Sequence, residues 1–280
     1  MDIAKLISPS ATETLSLTEL ISRLQQQEAI DAILLAGSTG QETFKPYSDY
    51  DLLIVLNEMS KPPSLIITTI NGYLTELYFL TASDADQIIQ NPQTIEANTL
   101  HGAFVSMITK GKIVHDVSGR LAKLHQIAPQ TQCDSILDHQ VYAAWYSVTY
   151  NHAQNLRYFH SGDSLYWEAL QCRLLYCISN CLTAYFTLRK MPWRGEKEAI
   201  RTLRKHDPDF LTQFQATIMA GGIEQQFPKY EQLVAQTLPA GMPQWPASYT
   251  VVQPQAELTP EDINQRVKLW EEWVKSPGDP

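Results

Sequence analysis

Two aspartates one residue apart, Asp49 and Asp51, open the apolar run YDLLIVL, and no other stretch limits the possible folds of this chain as much. In a strand, residues two apart share a face, so both carboxylates point the same way, with Leu53 and Val55 below them. Carboxylates so placed repel each other, and divalent cations between them remove the repulsion. Metals about 3.5–4 Å apart that clamp attacking and leaving oxygens are a common solution for phosphoryl and nucleotidyl transfer. Just upstream, Ala32 to Ala36 is short, apolar and followed at once by Gly37, as in a buried strand that ends where the backbone meets something closely. Gly37-Ser38 then makes a phosphate cradle. Without a Cβ at Gly37 a phosphate can reach backbone N–H groups, and the Ser38 hydroxyl can add a hydrogen bond. Lys45-Pro46-Tyr47-Ser48 reads as a turn that resets the chain before the second strand. Singly, a Gly-Ser is a turn and an Asp-x-Asp a solvated edge or a calcium-type loop; the two together say much more.

Apolar residues, Gly-Ser, ten residues and Asp-x-Asp-Leu inside an apolar strand form a pattern that resembles the nucleotidyltransferase superfamily, whose best known member is DNA polymerase beta. The resemblance is closest to bacterial aminoglycoside adenylyltransferases of the streptomycin and spectinomycin type. The matching pieces are Gly37-Ser38, the run Lys45-Pro46-Tyr47-Ser48-Asp49, and Asp51-Leu52-Leu53. It covers about the first half of the chain. It implies ATP and Mg2+ as cofactors, metal bound by Asp49 and Asp51, nucleotide held by Gly37, Ser38 and Ser48, and a role in antibiotic resistance.

Downstream, LIITTINGYLTELYFL places two β-branched or aromatic runs around Asn71-Gly72, a strong hairpin signal. Glu76 lies inside the second arm among Leu74, Leu77, Tyr78 and Phe79, where an unpaired carboxylate is expensive to bury. It reads as an exposed edge residue or as a functional acid. The resemblance implies the latter, a third carboxylate completing the metal set with Asp49 and Asp51, or the base that deprotonates an acceptor hydroxyl. Glu168, an acid in an aromatic helix, is the alternative base.

With 280 residues, 44% of them hydrophobic and 18% charged, the chain has room for two modest domains. A net charge of -9 argues against a nucleic-acid partner and favours a cationic small molecule. The N-terminus has no basic start followed by an apolar run, and nowhere are there eighteen consecutive apolar residues, so the expectation is a cytoplasmic protein without membrane spans. Cys172, Cys177 and Cys181 read as core thiols of one helix rather than metal ligands.

The expected fold class is α+β, a mixed-sheet nucleotidyltransferase domain over residues 1–130 followed by an all-helical bundle domain over 131–280. SLTE at Ser16 is a capping box opening a helix to Glu28. A helix is expected from Thr94 to Phe104, then a strand from Ser106, a Lys110-Gly111 turn, a short strand, Asp116 as a turn residue and a helix from Ser118. Pro129 to Cys133 marks the boundary. Beyond it, helical spacing predicts two long antiparallel helices, Ile136 to His160 and Ser164 to Lys190, rich in tyrosine and tryptophan. A third, Glu196 to Lys205, carries Lys197, Arg201 and Arg204 near one face. The resemblance implies that such a base neutralises the triphosphate, and Lys197 is the candidate; a solvated basic face is the alternative. Phe227 to Pro254 reads as a surface wrap, and Thr259 to Lys275 as a final helix capped by TPED. The expected activity is transfer of AMP from ATP to a hydroxyl of a small cationic acceptor lying between the domains. The rivals are an antitoxin-like enzyme acting on a protein tyrosine or RNA end, and a non-catalytic nucleotide-binding relative.

Overall fold

The structure is a computed structural model in which residues 14–40, 44–96, 99–133, 135–245, 251–252 and 260–274 are described. The chain divides into two compact units, Met1–Asp134 and Ser135–Pro280.

In the first unit, helix α1 (Leu17–Gln25) starts at the predicted capping box: the Ser16 hydroxyl accepts from the Glu19 N–H while the Glu19 carboxylate accepts from the Ser16 N–H. Strand β1 (Ile30–Leu35) runs into a single helical turn, α2 (Gly37–Gly40), and β2 (Tyr50–Leu56) follows the Lys45–Ser48 turn. Strands β3 (Leu65–Ile70) and β4 (Tyr73–Thr81) form the predicted hairpin, with Asn71 at φ 48° and Gly72 at φ 80°, the double positive φ of a type I′ turn. Helices α3 (Ala82–Gln90) and α4 (Leu100–Lys110) precede, and α5 (Arg120–Ile127) follows, the last strand, β5 (Lys112–Asp116).

The sheet order is β3-β4-β2-β1-β5. Neighbours are antiparallel except β2 and β4, which are parallel, so the sheet is mixed. One face buries Ala32, Leu34, Leu53, Val55 and Leu80 under α3, α4 and α5 through Ala85, Ile88, Phe104, Val105, Ile108 and Leu121. The other buries Ile33, Leu52, Ile54, Ile70 and Leu77 under Leu20 of α1. Period-2 alternation thus sends alternate residues of β2 to two separate cores.

Two expectations for this unit change. The stretch from Ser106 belongs to α4, because Phe104, Val105 and Ile108 bury one helical face and the helix ends only at Gly111, whose N–H donates to the Met107 carbonyl. Asp116 ends β5 and caps α5, accepting from the Leu121 and Ala122 N–H groups.

The second unit is helical: α6 (Asp138–Phe159), α7 (Ser164–Leu188), α8 (Glu196–His206), α9 (Pro208–Ile218), α10 (Ile223–Thr237) and α11 (Pro260–Val274). Its core joins Leu170, Leu174, Cys177, Ile178, Cys181 and Tyr185 of α7 to Phe210 and Phe214 of α9 and Phe227, Tyr230, Leu233 and Val234 of α10. Cys177 and Cys181 are the expected core thiols, but Cys172 faces solvent on the other side of α7. The expected surface wrap also begins later than the sequence suggested. Ile223, Phe227, Tyr230, Leu233, Val234 and Thr237 bury a helical stripe that overrides the interior Pro228. The wrap is the segment after α10, where the Pro243 carbonyl accepts from Trp145 Nε1, the Val252 carbonyl accepts from Tyr142, and Trp245 packs on Tyr146 and Tyr150. Thr259, Lys275, residues 246–250 and residues 253–254 lie outside the described residues. No helix among the described residues is long and apolar enough to cross a membrane.

Candidate functional site

The parallel pairing of β2 and β4 builds the site. It sets Asp51 directly beside Glu76, as it sets Leu53 beside Tyr78, and paired residues of adjacent strands share a face. Glu76 is therefore on an interior strand between β3 and β2, not on an edge. Asp49 immediately precedes β2 and, two residues from Asp51, belongs to the same alternation. All three acids are partly exposed.

β1 brings the other half. Its end pairs antiparallel with the start of β2, Leu35 opposite Leu52, and the Ala36 N–H donates to the Asp51 carbonyl. That delivers Gly37, at φ +53°, against the Asp51 side chain: a Cβ on Gly37 would lie 2.1 Å from Asp51 Oδ2. The space that glycine leaves open is thus already filled by a carboxylate oxygen, which the sequence did not foretell. Ser38 and Thr39 continue the turn. The Thr39 hydroxyl is buried with no hydrogen-bond partner among the described residues. The turn is pressed tightly into place, since a Cβ on Gly40 would lie 2.3 Å from the Leu35 carbonyl oxygen and one on Gly111 would lie 2.7 Å from the same atom.

Ser48 shapes the approach to Asp49. Its N–H donates to the Lys45 carbonyl at 2.9 Å and its hydroxyl accepts from the Lys45 N–H at 3.0 Å, so the predicted turn is closed from both sides. Phe44, stacked 4.7 Å from Tyr50 and edge-on 5.1 Å from Tyr73, ties the same loop to the sheet.

Tyr78 went unremarked as a site residue, although its place two residues after Glu76 on the same strand face was available as a signal. Its ring packs on the α3–α5 core and its hydroxyl donates to Glu76 Oε2. Burial raises the Tyr78 phenol well above its ordinary value. The Glu76 hydrogen bond and the negative charges of Glu76, Asp51 and Asp49 raise it further, so all three acids act on this one hydroxyl. Arg120 was also missed. It bridges Asp31, only 3% exposed, at 3.1 Å and Asp86 at 3.0 Å, and the Ser118 hydroxyl also donates to Asp31.

Magnesium takes hard oxygen ligands, and Asp49, Asp51 and Glu76 offer only those. The Asp51 carboxylate is seated against Gly37, where it would be available to such an ion. Among the described residues no three acidic, histidine or cysteine side chains are gathered around one point.

The remaining candidates lie on the helical unit. Lys197 and Arg204 are exposed on α8, and Arg201 there pairs with Glu198 at 2.9 Å, the pattern of a solvated face. Glu168 is exposed on α7. Tyr142, Tyr146 and Tyr150 are engaged by the chain's own C-terminal wrap. Tyr166 stays open beside Tyr158, and with Arg157, His160 and Asp163 it lines a hollow at the α6–α7 turn.

Comparison with known proteins agrees with the sheet. Residues 17–103, which include every acid of the candidate site and the whole Gly37 turn, match the family described as nucleotidyltransferase domain. The first unit has the nucleotidyltransferase fold. Among solved structures the chain is similar to a nucleotidyltransferase-like protein from Exiguobacterium sibiricum 255-15, at 12% identity over 79% of this chain and 73% of that one, with a TM-score of 0.39. No curated protein matches.

Proposed function

We propose that the chain is a magnesium-dependent nucleotidyltransferase that moves AMP from ATP to a hydroxyl of a small, cationic, aminoglycoside-like acceptor. The observation that carries the reading is the meeting of Asp51 with Glu76 across β2 and β4, at the spot where Gly37 brings the β1 turn against Asp51. Asp49, Asp51 and Glu76 would hold magnesium, which would supply positive charge against the phosphate oxygens. Gly37 and Ser38 take the β- and γ-phosphates through backbone N–H groups and a hydroxyl. Ser48 keeps the loop before Asp49 in place for the nucleotide. Glu76 accepts the proton of the acceptor hydroxyl as its oxygen attacks the α-phosphorus; the bond to the bridging oxygen breaks and pyrophosphate leaves.

Support for a cationic acceptor comes from charge. The chain carries -9, and Asp163 lines the hollow at the α6–α7 turn together with Tyr166. Acidic and aromatic surfaces attract amines, and each cation–π contact is worth about 0.5–2 kcal/mol. The helical unit supplies acceptor recognition in this reading, and the cytoplasm, where ATP is abundant, is the proposed location. The test incubates the protein with labelled ATP and magnesium beside a panel of aminoglycosides, other amino-containing metabolites, short RNAs and proteins, and seeks an AMP adduct by mass spectrometry. Label on an aminoglycoside or similar amine supports the proposal. Label only on RNA or on a protein tyrosine overturns the acceptor assignment.

A further inference from the structure

Glu76 is the acid whose direction the backbone leaves least determined. A glutamate side chain has one more rotatable bond than an aspartate, and β4 fixes only where it starts. Its flank toward β3 is open as well: Ile67, paired directly with Glu76, is 61% exposed, and Leu74, two residues before it, is 51% exposed. The Asp51 carboxylate, by contrast, is seated against Gly37. Left to itself, the Glu76 carboxylate would be driven by repulsion from Asp51 toward that open flank, away from any ion the two must share.

The opposing contact comes from Tyr78. Its ring is anchored among the side chains under α3, α4 and α5, and Leu53 and Leu65 are its neighbours on the adjoining strands. Only its hydroxyl reaches the acids, where it donates to Glu76 Oε2. A phenol fixed at its ring end is a stiff donor, because only its C–O rotor remains free.

We propose that Tyr78 is a positioning residue of this site: its hydroxyl pins Glu76 Oε2 and so limits where the carboxylate would meet a divalent cation held with Asp51. The proposal rests on the reading of Asp49, Asp51 and Glu76 as a metal site. Outer-shell partners of metal ligands typically contribute about 10–100-fold in metal affinity. Tyr78 thus limits how far Glu76 can swing when no cation is bound, and this lowers the entropy lost when one binds.

The experiment titrates Mn2+, followed by electron paramagnetic resonance, into the full-length protein with a non-hydrolysable ATP analogue, and compares wild type with Tyr78→Phe, Glu76→Gln and Asp51→Asn. Tyr78→Phe should weaken Mn2+ binding about 10-fold, and the two acid variants should weaken it at least as much. A merely structural tyrosine would lower the melting temperature in Tyr78→Phe and leave Mn2+ affinity unchanged. That result, with Glu76→Gln still impaired, overturns the positioning role and spares the metal reading. Wild-type affinity in both acid variants overturns the metal reading and this proposal with it. Should Tyr78→Phe fail to fold, 3-fluorotyrosine placed at position 78 keeps the hydroxyl. Its 19F resonance should shift saturably with Mg2+ over the range in which Mn2+ binds, and a resonance that stays fixed overturns the proposal.

Discussion

Gly37→Ala should separate backbone strain from damage to the site. Gly37 sits at φ +53°, where a residue with a Cβ costs about 1–2 kcal/mol. For the first unit alone that amounts to a few degrees of melting temperature. A second effect is steric. The new methyl group would lie 2.1 Å from Asp51 Oδ2, and even a 3.0 Å contact requires the carboxylate to retreat by 0.9 Å (3.0 minus 2.1). A misplacement of about 1 Å in a reacting constellation can cost on the order of 100-fold in rate. For a ligand in equilibrium the expectation is at least about tenfold weaker binding, or 1.4 kcal/mol. Gly119→Ala is the control, since Gly119 has φ +76° and a Cβ there would meet nothing within 4 Å. Both variants should lose similar stability in thermal melts. Only Gly37→Ala should lose affinity for the ATP analogue with Mn2+ in calorimetry. Equal affinities in the two variants would refute the argument that Gly37 is a glycine for the sake of Asp51.

Asp51→Ala removes one acid of the set, so nucleotidyl transfer should disappear; turnover above a few per cent of wild type refutes the site. Arg120→Met leaves Asp31 buried with Ser118 as its remaining described partner, and breaking a buried pair should destabilise the first unit by about 3 kcal/mol in urea melts; a loss below about 1 kcal/mol, the worth of an exposed pair, would mean that Asp31 does not need the guanidinium. Phe227→Ala, at a fully buried ring stacked 4.3 Å from Phe159, should cost the helical unit about 3–5 kcal/mol, visible as a lower urea midpoint with an unchanged slope. Burial pushes the His152 imidazole below its ordinary value, against the weaker pull of Glu231 3.8 Å away. The unfolded chain therefore takes up a proton near pH 6.5 that the folded chain refuses, so stability should fall as pH drops from about 6.5 toward the depressed folded value. His152→Gln should flatten that fall in melts between about pH 7.5 and 5, and an unchanged slope would assign it to other groups.

Where neighbours along the chain decide the structure, the sequence was enough. The capping box at Ser16, the Asn71-Gly72 hairpin, the turn closed by Ser48 and the long α6 and α7 pattern are set by hydrogen bonds and periodicities within a few residues. Propensity misled where packing outweighed it. The β-branched residues after Ser106 finish α4 because Phe104, Val105 and Ile108 bury one helical face, and Pro228 is carried inside α10 because Phe227 and Tyr230 are worth more buried than the lost hydrogen bond. The site divides in the same way. That Asp49 and Asp51 share a face follows from strand geometry alone. That Glu76 is the neighbour of Asp51 depends on β2 and β4 pairing in parallel, a contact between strands separated by β3, which no local rule encodes. Gly37 was legible as a close approach, but only the antiparallel pairing of β1 with β2 decides that Asp51 is what approaches it. The fold likewise turns Tyr78 from one more aromatic residue of an apolar strand into the donor that holds Glu76, because its ring has a core to enter only once α3, α4 and α5 have packed on that face.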